Sequence, residues 1–242
     1  MWFASKFETV RHRTKQVLHR WDFLSLVLLT VAFSALWGFI EIADEVREGQ
    51  LQRIDSQILH LFRDPSDPGN PIGSRQVEET VRDITALGGF PILILLFVSA
   101  VTVLWLERRH RAAVWLSVAG LGAALLSTLF KGLFQRGRPT LIETQLLPES
   151  YSFPSGHAML SAATYFTIAA LLVHVVPRKR TRAFILGIAF VLTVAVGVSR
   201  IYLGVHYPSD VLAGWAVGVG WAAVCWFAAW RVRARGKLSR PQ

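Results

Sequence analysis

The sequence contains six apolar stretches of 16 to 20 residues without a single Asp, Glu, Lys or Arg; they cover residues 23–40, 88–106, 112–130, 158–176, 183–198 and 211–230. A helix of about 20 apolar residues crosses the hydrocarbon core of a bilayer once. Hydrophobic residues make up 52% of the 242 positions, more than is usual for a soluble protein. We therefore predict an all-α, polytopic membrane protein with six transmembrane helices, organised as a single domain over residues 1–242.

The first apolar stretch, residues 23–40, has a signal peptide as its alternative interpretation. A signal peptide has a shorter apolar region, which is followed by small residues at a cleavage site. Here the charged sequence EIADEVRE follows instead. We therefore interpret this stretch as a retained transmembrane span.

The basic residues are distributed unevenly among the connecting segments. The amino terminus, residues 107–111, residues 177–182 and the carboxyl terminus hold 17 of the 26 Lys and Arg residues. Segments rich in Lys and Arg stay in the cytoplasm. This topology signal accounts for the net charge of +10, so the charge does not indicate a nucleic-acid partner. We expect a multi-pass protein of the inner (plasma) membrane whose other connecting segments face the non-cytoplasmic side.

The longest connecting segment, residues 41–87, is acidic and forms the first loop on that side. Apolar residues recur in it at helical spacing on either side of the turn-forming PSDPGNPIGS; they are Leu51, Ile54, Ile58, Leu61 and Phe62, then Val77, Val81, Ile84 and Leu87. This spacing predicts two short amphipathic helices. They either pack on the ends of the spans or lie in the membrane interface and shape the entry path of a lipid.

Three polar motifs lie at the ends of apolar stretches within residues 131–210. They read KGLFQRGRP at 131–139, PSGH at 154–157 and SRIYLGVHYPSD at 199–210. Together they supply three fixed cations, two imidazoles and a carboxylate, which are Lys131, Arg138, Arg200, His157, His206 and Asp210. Such side chains can stabilise a transferring phosphoryl group and provide both a nucleophile and an acid.

The second motif directly precedes the fourth apolar stretch. Ser155 therefore suits the N-cap of that helix, with Gly156 and His157 in its first turn. The free backbone N–H groups and the helix dipole make such a terminus a phosphate-binding site. The alternative is that Pro154 and Gly156 are ordinary turn residues.

The third motif ends at the last apolar stretch, where Pro208 fits the first turn of the helix. His206 and Asp210 are four residues apart, so that the carboxylate can hold one imidazole nitrogen and leave the other free to attack. The alternative is that Asp210 only complements the helix dipole and His206 is a loop residue.

Four cations of this region, Lys131, Arg136, Arg138 and Arg200, lie on the non-cytoplasmic side, against the usual insertion bias. We expect a bound phosphate to balance their charge. The alternative is that they pair with the nearby carboxylates Glu143, Glu149 and Asp210.

The three motifs, in this order and with these spacings, resemble the signature of the type 2 phosphatidic acid phosphatase superfamily. That superfamily comprises membrane lipid phosphatases and, more distantly, soluble vanadium-dependent haloperoxidases. Every specified position of the signature is filled: Lys131, Arg138, Pro139, Pro154, Ser155, Gly156, His157, Ser199, Arg200, His206 and Asp210. The resemblance covers about the last half of the chain.

The resemblance also implies roles for these residues. His206 would be the nucleophile that forms a phosphohistidine, Asp210 its orienting partner, and His157 the acid that protonates the leaving oxygen and later activates water. The phosphoryl oxygens would be bound by Lys131, Arg138 and Arg200, with further hydrogen bonds from Ser155 and Gly156. The reaction would need no metal and no cofactor.

The resulting expectation is a metal-independent lipid phosphatase whose partner is a phosphorylated lipid in the bilayer, such as undecaprenyl diphosphate, phosphatidate or phosphatidylglycerophosphate. The two alternatives are a vanadate-dependent oxidase and a non-catalytic lipid carrier on the same fold. Six spans argue against the first, because the haloperoxidases are soluble. Retention of the complete motif set argues against the second.

The single cysteine, Cys225, excludes an intramolecular disulfide.

Overall fold

The computed structural model of the protein describes the backbone of residues 2–139 and 151–238 and the side chains of residues 23–139 and 151–232. The regular elements within these ranges are all helices: α1 (Trp2–Arg47), α2 (Gln52–His60), α3 (Arg75–Ala86), α4 (Phe90–Leu106), α5 (His110–Phe134), α6 (Gly156–Val175), α7 (Lys179–Tyr202) and α8 (Pro208–Leu238). The all-α prediction is confirmed.

Six segments in these ranges are long and apolar enough to cross a membrane: Phe23–Arg47, Arg75–Leu106, His110–Phe134, Gly156–Val175, Lys179–Tyr202 and Pro208–Val232. The second segment joins α3, which belongs to the polar loop, to α4 and includes the stretch 88–106; each of the others contains or closely matches one of the remaining apolar stretches. The prediction of six spans is therefore confirmed, although most helices continue past the ends of the apolar stretches.

One difference of this kind occurs at the end of α1. The apolar stretch stops at residue 40, where acidic residues begin, yet the helix continues to Arg47. Ile42, Ala43 and Val46 prolong its apolar face and pack in a cluster with Phe153. The acidic residues between them do not interrupt the helix, and the loop between the first two spans begins only after Arg47.

Helix α6, which begins at the second motif, is the centre of the bundle and packs against α4, α5, α7 and α8. Its most apolar 18-residue window is 56% buried within the protein, compared with 11% for the corresponding window of α1. Small residues permit this close packing; the buried ones include Ala158, Ser161, Ala162, Ala163, Ala169 and Ala170.

Two glycines bring α8 against α6. A Cβ atom at Gly214 would lie 2.7 Å from the carbonyl oxygen of Ser155, and one at Gly218 would lie 2.4 Å from that of Met159. Both distances are too short for any side chain, so the helices can approach this closely only with glycine at these positions. The contact places the amino-terminal ends of α6 and α8 side by side.

The loop between the first two spans lies at the end of the bundle that carries the three motifs. Ser209 at the start of α8 donates its backbone N–H to the Asp55 carboxylate of α2 at 2.9 Å. Arg200 near the end of α7 donates to the Thr85 hydroxyl of α3 at 3.1 Å. The loop is therefore held against the motif segments at this end of the bundle.

The two short helices predicted in this loop are present, but α2 buries a different face from the one that its apolar residues indicate. Asp55 and Leu59 are 2% and 1% exposed, whereas Ile54 and Leu61 are 53% and 73% exposed. An acidic residue takes the central buried position because Arg136 supplies an ion pair and Ser209 supplies hydrogen bonds from other segments.

A second anchor fixes the turn between α2 and α3 to the end of α7. Tyr202 donates its hydroxyl to the carbonyl oxygen of Ile72 at 2.5 Å. In the other direction, the buried guanidinium of Arg63 donates to the carbonyl oxygen of Tyr202. This reciprocal pair holds the turn against the segment that leads from α7 to His206.

Candidate active site

His206 and Asp210 face each other at the start of α8, as their spacing predicts. The His206 Nδ1 atom lies 3.5 Å from Asp210 Oδ2, and the two residues are 1% and 0% exposed. The same carboxylate oxygen accepts hydrogen bonds from the Tyr207 backbone N–H at 2.9 Å and from the Ser152 hydroxyl. These donors fix the carboxylate beside the imidazole.

Burial lowers the pKa of His206 from 6.5 to about 4, with Asp210 opposing and the cations Arg200 and Arg138 reinforcing the effect. The imidazole is therefore neutral at pH 7. Because Nδ1 faces the Asp210 carboxylate, it is the nitrogen that carries the proton. The Nε2 atom keeps its lone pair and can attack an electrophile.

Two buried donors near this pair have no hydrogen-bond partner among the described residues. They are the Ser155 hydroxyl and the Nε atom of Arg200. Ser155 occupies the predicted N-cap position of α6, but its side chain makes no capping bond, while its backbone N–H donates to the carbonyl oxygen of Asp210 at 2.9 Å. Buried donors without partners are costly, and phosphate oxygens are suitable acceptors for both.

The other predicted phosphate-binding residues lie at the same end of the bundle. A Cβ atom at Gly156 would lie 3.4 Å from the Lys131 ammonium nitrogen, so glycine leaves room for the amino group against the first turn of α6. Arg138 donates to the carbonyl oxygen of Val205 at 3.0 Å, next to His206. The first motif thus approaches both of the others.

His157 lies in the first turn of α6, within electrostatic range of four of the other predicted site residues, which are Arg200, His206, Lys131 and Arg138. A Cβ atom at Gly88, in the α3–α4 turn, would lie 3.4 Å from the His157 carbonyl oxygen and 2.3 Å from Val196. Glycine thus allows the second span to pack closely beside this turn. The structure brings all eight predicted site residues to one end of the bundle.

Sequence reasoning missed a second layer of residues around Asp210. Arg136, which the sequence analysis treats only as one of four cations, donates to Asp210 Oδ1 at 2.7 Å and to Asp55 Oδ2 at 2.8 Å. Of the two expectations for the four cations, phosphate binding or pairing with a carboxylate, Arg136 therefore follows the second. Two of the expected carboxylate partners, Glu143 and Glu149, lie outside the described residues.

A signal for this layer exists in the sequence. Asp55 stands four residues before Leu59, on what proves to be the buried face of α2, and an acidic residue in such a position indicates a buried ion pair. Its partner could not be identified in the same way, because Asp55 and Arg136 are 81 residues apart.

Comparison with known proteins agrees with this geometry. The model of the PAP2 superfamily matches residues 112–234. The chain belongs to the PAP2 superfamily. The resemblance inferred from the three motifs is thereby confirmed, and the matched range contains all eight predicted site residues.

Relatives within the PAP2 superfamily are named as phosphatases. Phosphatidylglycerophosphatase B of Bacillus subtilis is 34% identical over 145 residues, which cover 59% of this chain and 70% of the relative. Decaprenylphosphoryl-5-phosphoribose phosphatase of Mycobacterium tuberculosis is 39% identical over 153 residues, which cover 60% of this chain and 76% of the relative. This PAP2 protein is accordingly a phosphatase.

A solved structure extends the similarity to the amino-terminal half. The crystal structure of a transmembrane PAP2-type phosphatidylglycerolphosphate phosphatase from Bacillus subtilis superposes with a TM-score of 0.71 at 27% sequence identity. The superposition covers 87% of this chain and 98% of the other. The protein is a multi-pass membrane phosphatase with the PAP2 membrane fold.

Proposed function

We propose that this phosphatase hydrolyses a phosphate monoester, or the terminal phosphate of a diphosphate, on a membrane lipid at the non-cytoplasmic face. The reaction proceeds through a phosphohistidine at His206. The observation that carries the proposal is a buried, neutral imidazole held by Asp210, with the unpartnered donors of Ser155 and Arg200 close by.

In the first step, Nε2 of His206 attacks the phosphorus atom, so that a P–N bond forms and the P–O bond to the lipid breaks. His157 donates a proton to the departing oxygen. In the second step, His157 accepts a proton from a water molecule whose oxygen attacks the phosphorus. The P–N bond then breaks, and inorganic phosphate and neutral His206 are released.

The cations supply the electrostatic stabilisation that phosphoryl transfer requires. Lys131, Arg138 and Arg200 interact with the phosphoryl oxygens, on which negative charge accumulates. A bound phosphate dianion offsets their positive charge around His157.

A groove along the membrane-spanning part supports a lipid substrate. Helices α4, α5 and α6 line a cavity of about 480 Å³, whose walls include Phe97, Leu121 and Leu160. Leu160 lies about one helical turn from His157. A hydrocarbon chain in this groove would place its phosphate near the catalytic residues.

The names of the relatives narrow the substrate class. They specify phosphatidylglycerophosphate and a decaprenyl-linked phosphoribose phosphate, both phosphates on long hydrocarbon anchors. For this chain we propose the same class, with undecaprenyl diphosphate, phosphatidate and phosphatidylglycerophosphate as the substrates to compare.

The proposal is tested by phosphate release from these three lipids by purified protein in detergent, with excess EDTA present. We expect turnover of at least one of them, and lower kcat/KM for analogues with short hydrocarbon chains, which cannot fill the groove. Loss of all activity in EDTA with recovery only on addition of Mg²⁺ would contradict the metal-independent mechanism. Equal kcat/KM for short and long chains would contradict the role of the groove.

The orientation has its own test. Asn70→Cys places an exposed thiol in the loop between the first two spans, and Thr181→Cys places one in the basic segment at the start of α7, while the native Cys225 is buried. An impermeant maleimide added to intact cells should label the first variant and not the second. The reverse pattern would place the site in the cytoplasm.

A further inference from the structure

A guanidinium group connects two buried carboxylates at the active-site end of the bundle. Arg136 Nη1 lies 2.7 Å from Asp210 Oδ1, and Arg136 Nη2 lies 2.8 Å from Asp55 Oδ2. The side chains of the two acids are 0% and 3% exposed, and that of Arg136 is 15% exposed. The guanidinium also lies 4.2 Å from the centre of the Tyr207 ring, next to His206.

Asp55 reaches the start of α8 by a second route. Its carboxylate accepts the Ser209 backbone N–H at 2.9 Å and the Ser209 hydroxyl at 2.5 Å. The same hydroxyl oxygen accepts a hydrogen bond from Arg136 at 2.7 Å. Asp55 thus binds both the residue that precedes Asp210 in the chain and the cation that holds its carboxylate.

This arrangement has an electrostatic consequence for the imidazole. If Arg136 paired with Asp210 alone, its full charge would neutralise the carboxylate that faces His206. Asp55 shares the guanidinium, so the three groups together carry one net negative charge. That charge stabilises the imidazole when it becomes cationic on phosphorylation.

We propose that Asp55 is a positioning residue for phosphoryl transfer, which acts through Arg136 and Ser209 to hold the Asp210 carboxylate against His206. The inference rests on the proposed function, because it takes His206 as the nucleophile. It gives the loop between the first two spans a part in the chemistry. A merely structural anchor would instead keep α2 in place without influencing the rate of the chemical step.

The two roles are separated by rapid-quench phosphorylation with ³²P-labelled p-nitrophenyl phosphate. In Asp55→Asn the rate constant for labelling should fall about 10- to 100-fold, the range typical when an outer partner of a functional side chain is removed. With hydrolysis of the intermediate slowed by His157→Ala in both proteins, the final amount of label per protein should equal that of the parent. The Ki for inorganic phosphate should also be unchanged. If Asp55 were only a structural anchor, the variant would acquire less label because only its folded fraction would react, but the rate constant for labelling would equal that of the parent.

A double-mutant cycle tests the route through Arg136. If Asp55 acts through this residue, Asp55→Asn combined with Arg136→Gln should be little slower than Arg136→Gln alone. Rate effects that multiply would overturn the inference. Asp83→Asn is the matched control, since it removes an exposed carboxylate from α3 of the same loop and should label at the parent rate.

The outcomes also separate this inference from the function on which it rests. If the parent acquires label and Asp55→Asn is labelled at the same rate constant, the inference is overturned and the proposed function stands. No label in the parent overturns the proposed phosphohistidine and the inference with it. If Asp55→Asn no longer binds phosphate, the cycle is repeated with Asp55→Glu and Arg136→Lys. Rate effects of these two substitutions that multiply in the double variant would again overturn the inference.

Discussion

Helices α5 to α8 carry or border all three sequence motifs, whereas α1 to α4 carry no motif residue. The most apolar windows of the first two spans are each 11% buried within the protein, and those of the last four are 28% to 56% buried. The first half of the chain therefore presents more of its surface to lipid. It nevertheless reaches the active-site end through Asp55 and Thr85.

This difference indicates a division between residues that react and residues that hold them. The groups proposed to react lie on the tightly packed helices or directly beside their ends, where close contacts define their positions. Two of the supporting groups, Asp55 and Thr85, come from the loop between the first two spans, which packs on the site from outside. The following predictions test the division, beginning with the largest expected effect.

The first prediction concerns a reacting residue of the motif half. His157→Ala removes the acid and base but leaves His206 in place, so hydrolysis of a lipid phosphate should fall about 10²- to 10⁴-fold. Phosphorylation by p-nitrophenyl phosphate should fall less, because its leaving group hardly needs a proton. His174→Ala, at the exposed far end of the same helix, is the control. Parent rates with both substrates would exclude His157 as the acid.

The second prediction follows from the burial of His206. Since its pKa is lowered to about 4 and only the neutral imidazole can attack, kcat/KM should fall as the pH drops through about 4. At pH 5 about 90% of such a group is neutral, compared with about 3% of a histidine with the ordinary pKa of 6.5. The measurement is a pH profile of kcat/KM, corrected for ionisation of the substrate. A decline centred near 6.5 would indicate an exposed imidazole.

The third prediction concerns a supporting residue of the first half. Thr85→Val removes the hydroxyl that accepts from Arg200 at 3.1 Å, and kcat/KM should fall about tenfold because a hydrogen bond to a charged group is lost. Thr80→Val changes the same helix, at a hydroxyl that bonds only to the Gln76 carbonyl oxygen in the described structure, and should leave the rate unchanged. Equal rates in the two variants would mean that α3 gives Arg200 no support.

The fourth prediction concerns the packing that positions the two motif-bearing helices. At Gly218 a Cβ atom would lie 2.4 Å from the Met159 carbonyl oxygen, so Gly218→Ala should destabilise the protein by about 1–3 kcal/mol. At Gly187, on α7, a Cβ atom meets nothing within 4 Å, and Gly187→Ala should be neutral or slightly stabilising. Unfolding in detergent measures both, and similar stabilities would show that α6 and α8 can separate without cost.

The sequence was sufficient to predict the spans and to name the residues that the structure brings together at one end of the bundle. Apolar stretches free of charge define membrane helices directly, and Ser155 and Pro208 mark the starts of α6 and α8 by local rules that need no tertiary information. The continuation of α1 to Arg47 was missed, because a few acidic residues in one turn resemble a loop when their packing partners are unknown.

The supporting layer was missed for a different reason. The pairing of Asp55 with Arg136 joins residues from two distant connecting segments, and no local pattern specifies such a contact. The buried face of α2 was missed with it, since apolar spacing alone favours Ile54 and Leu61, which are exposed. Long-range ionic contacts of this kind require the fold.

The central claim is that His206 becomes phosphorylated during turnover. The direct measurement is a quench of the parent and of His206→Ala with ³²P-labelled substrate, followed by treatment of the denatured protein with acid and with base. The account predicts a label on the parent that is acid-labile and base-stable, and neither label nor turnover in His206→Ala. An equal label on His206→Ala would contradict the account and assign the nucleophile to another residue.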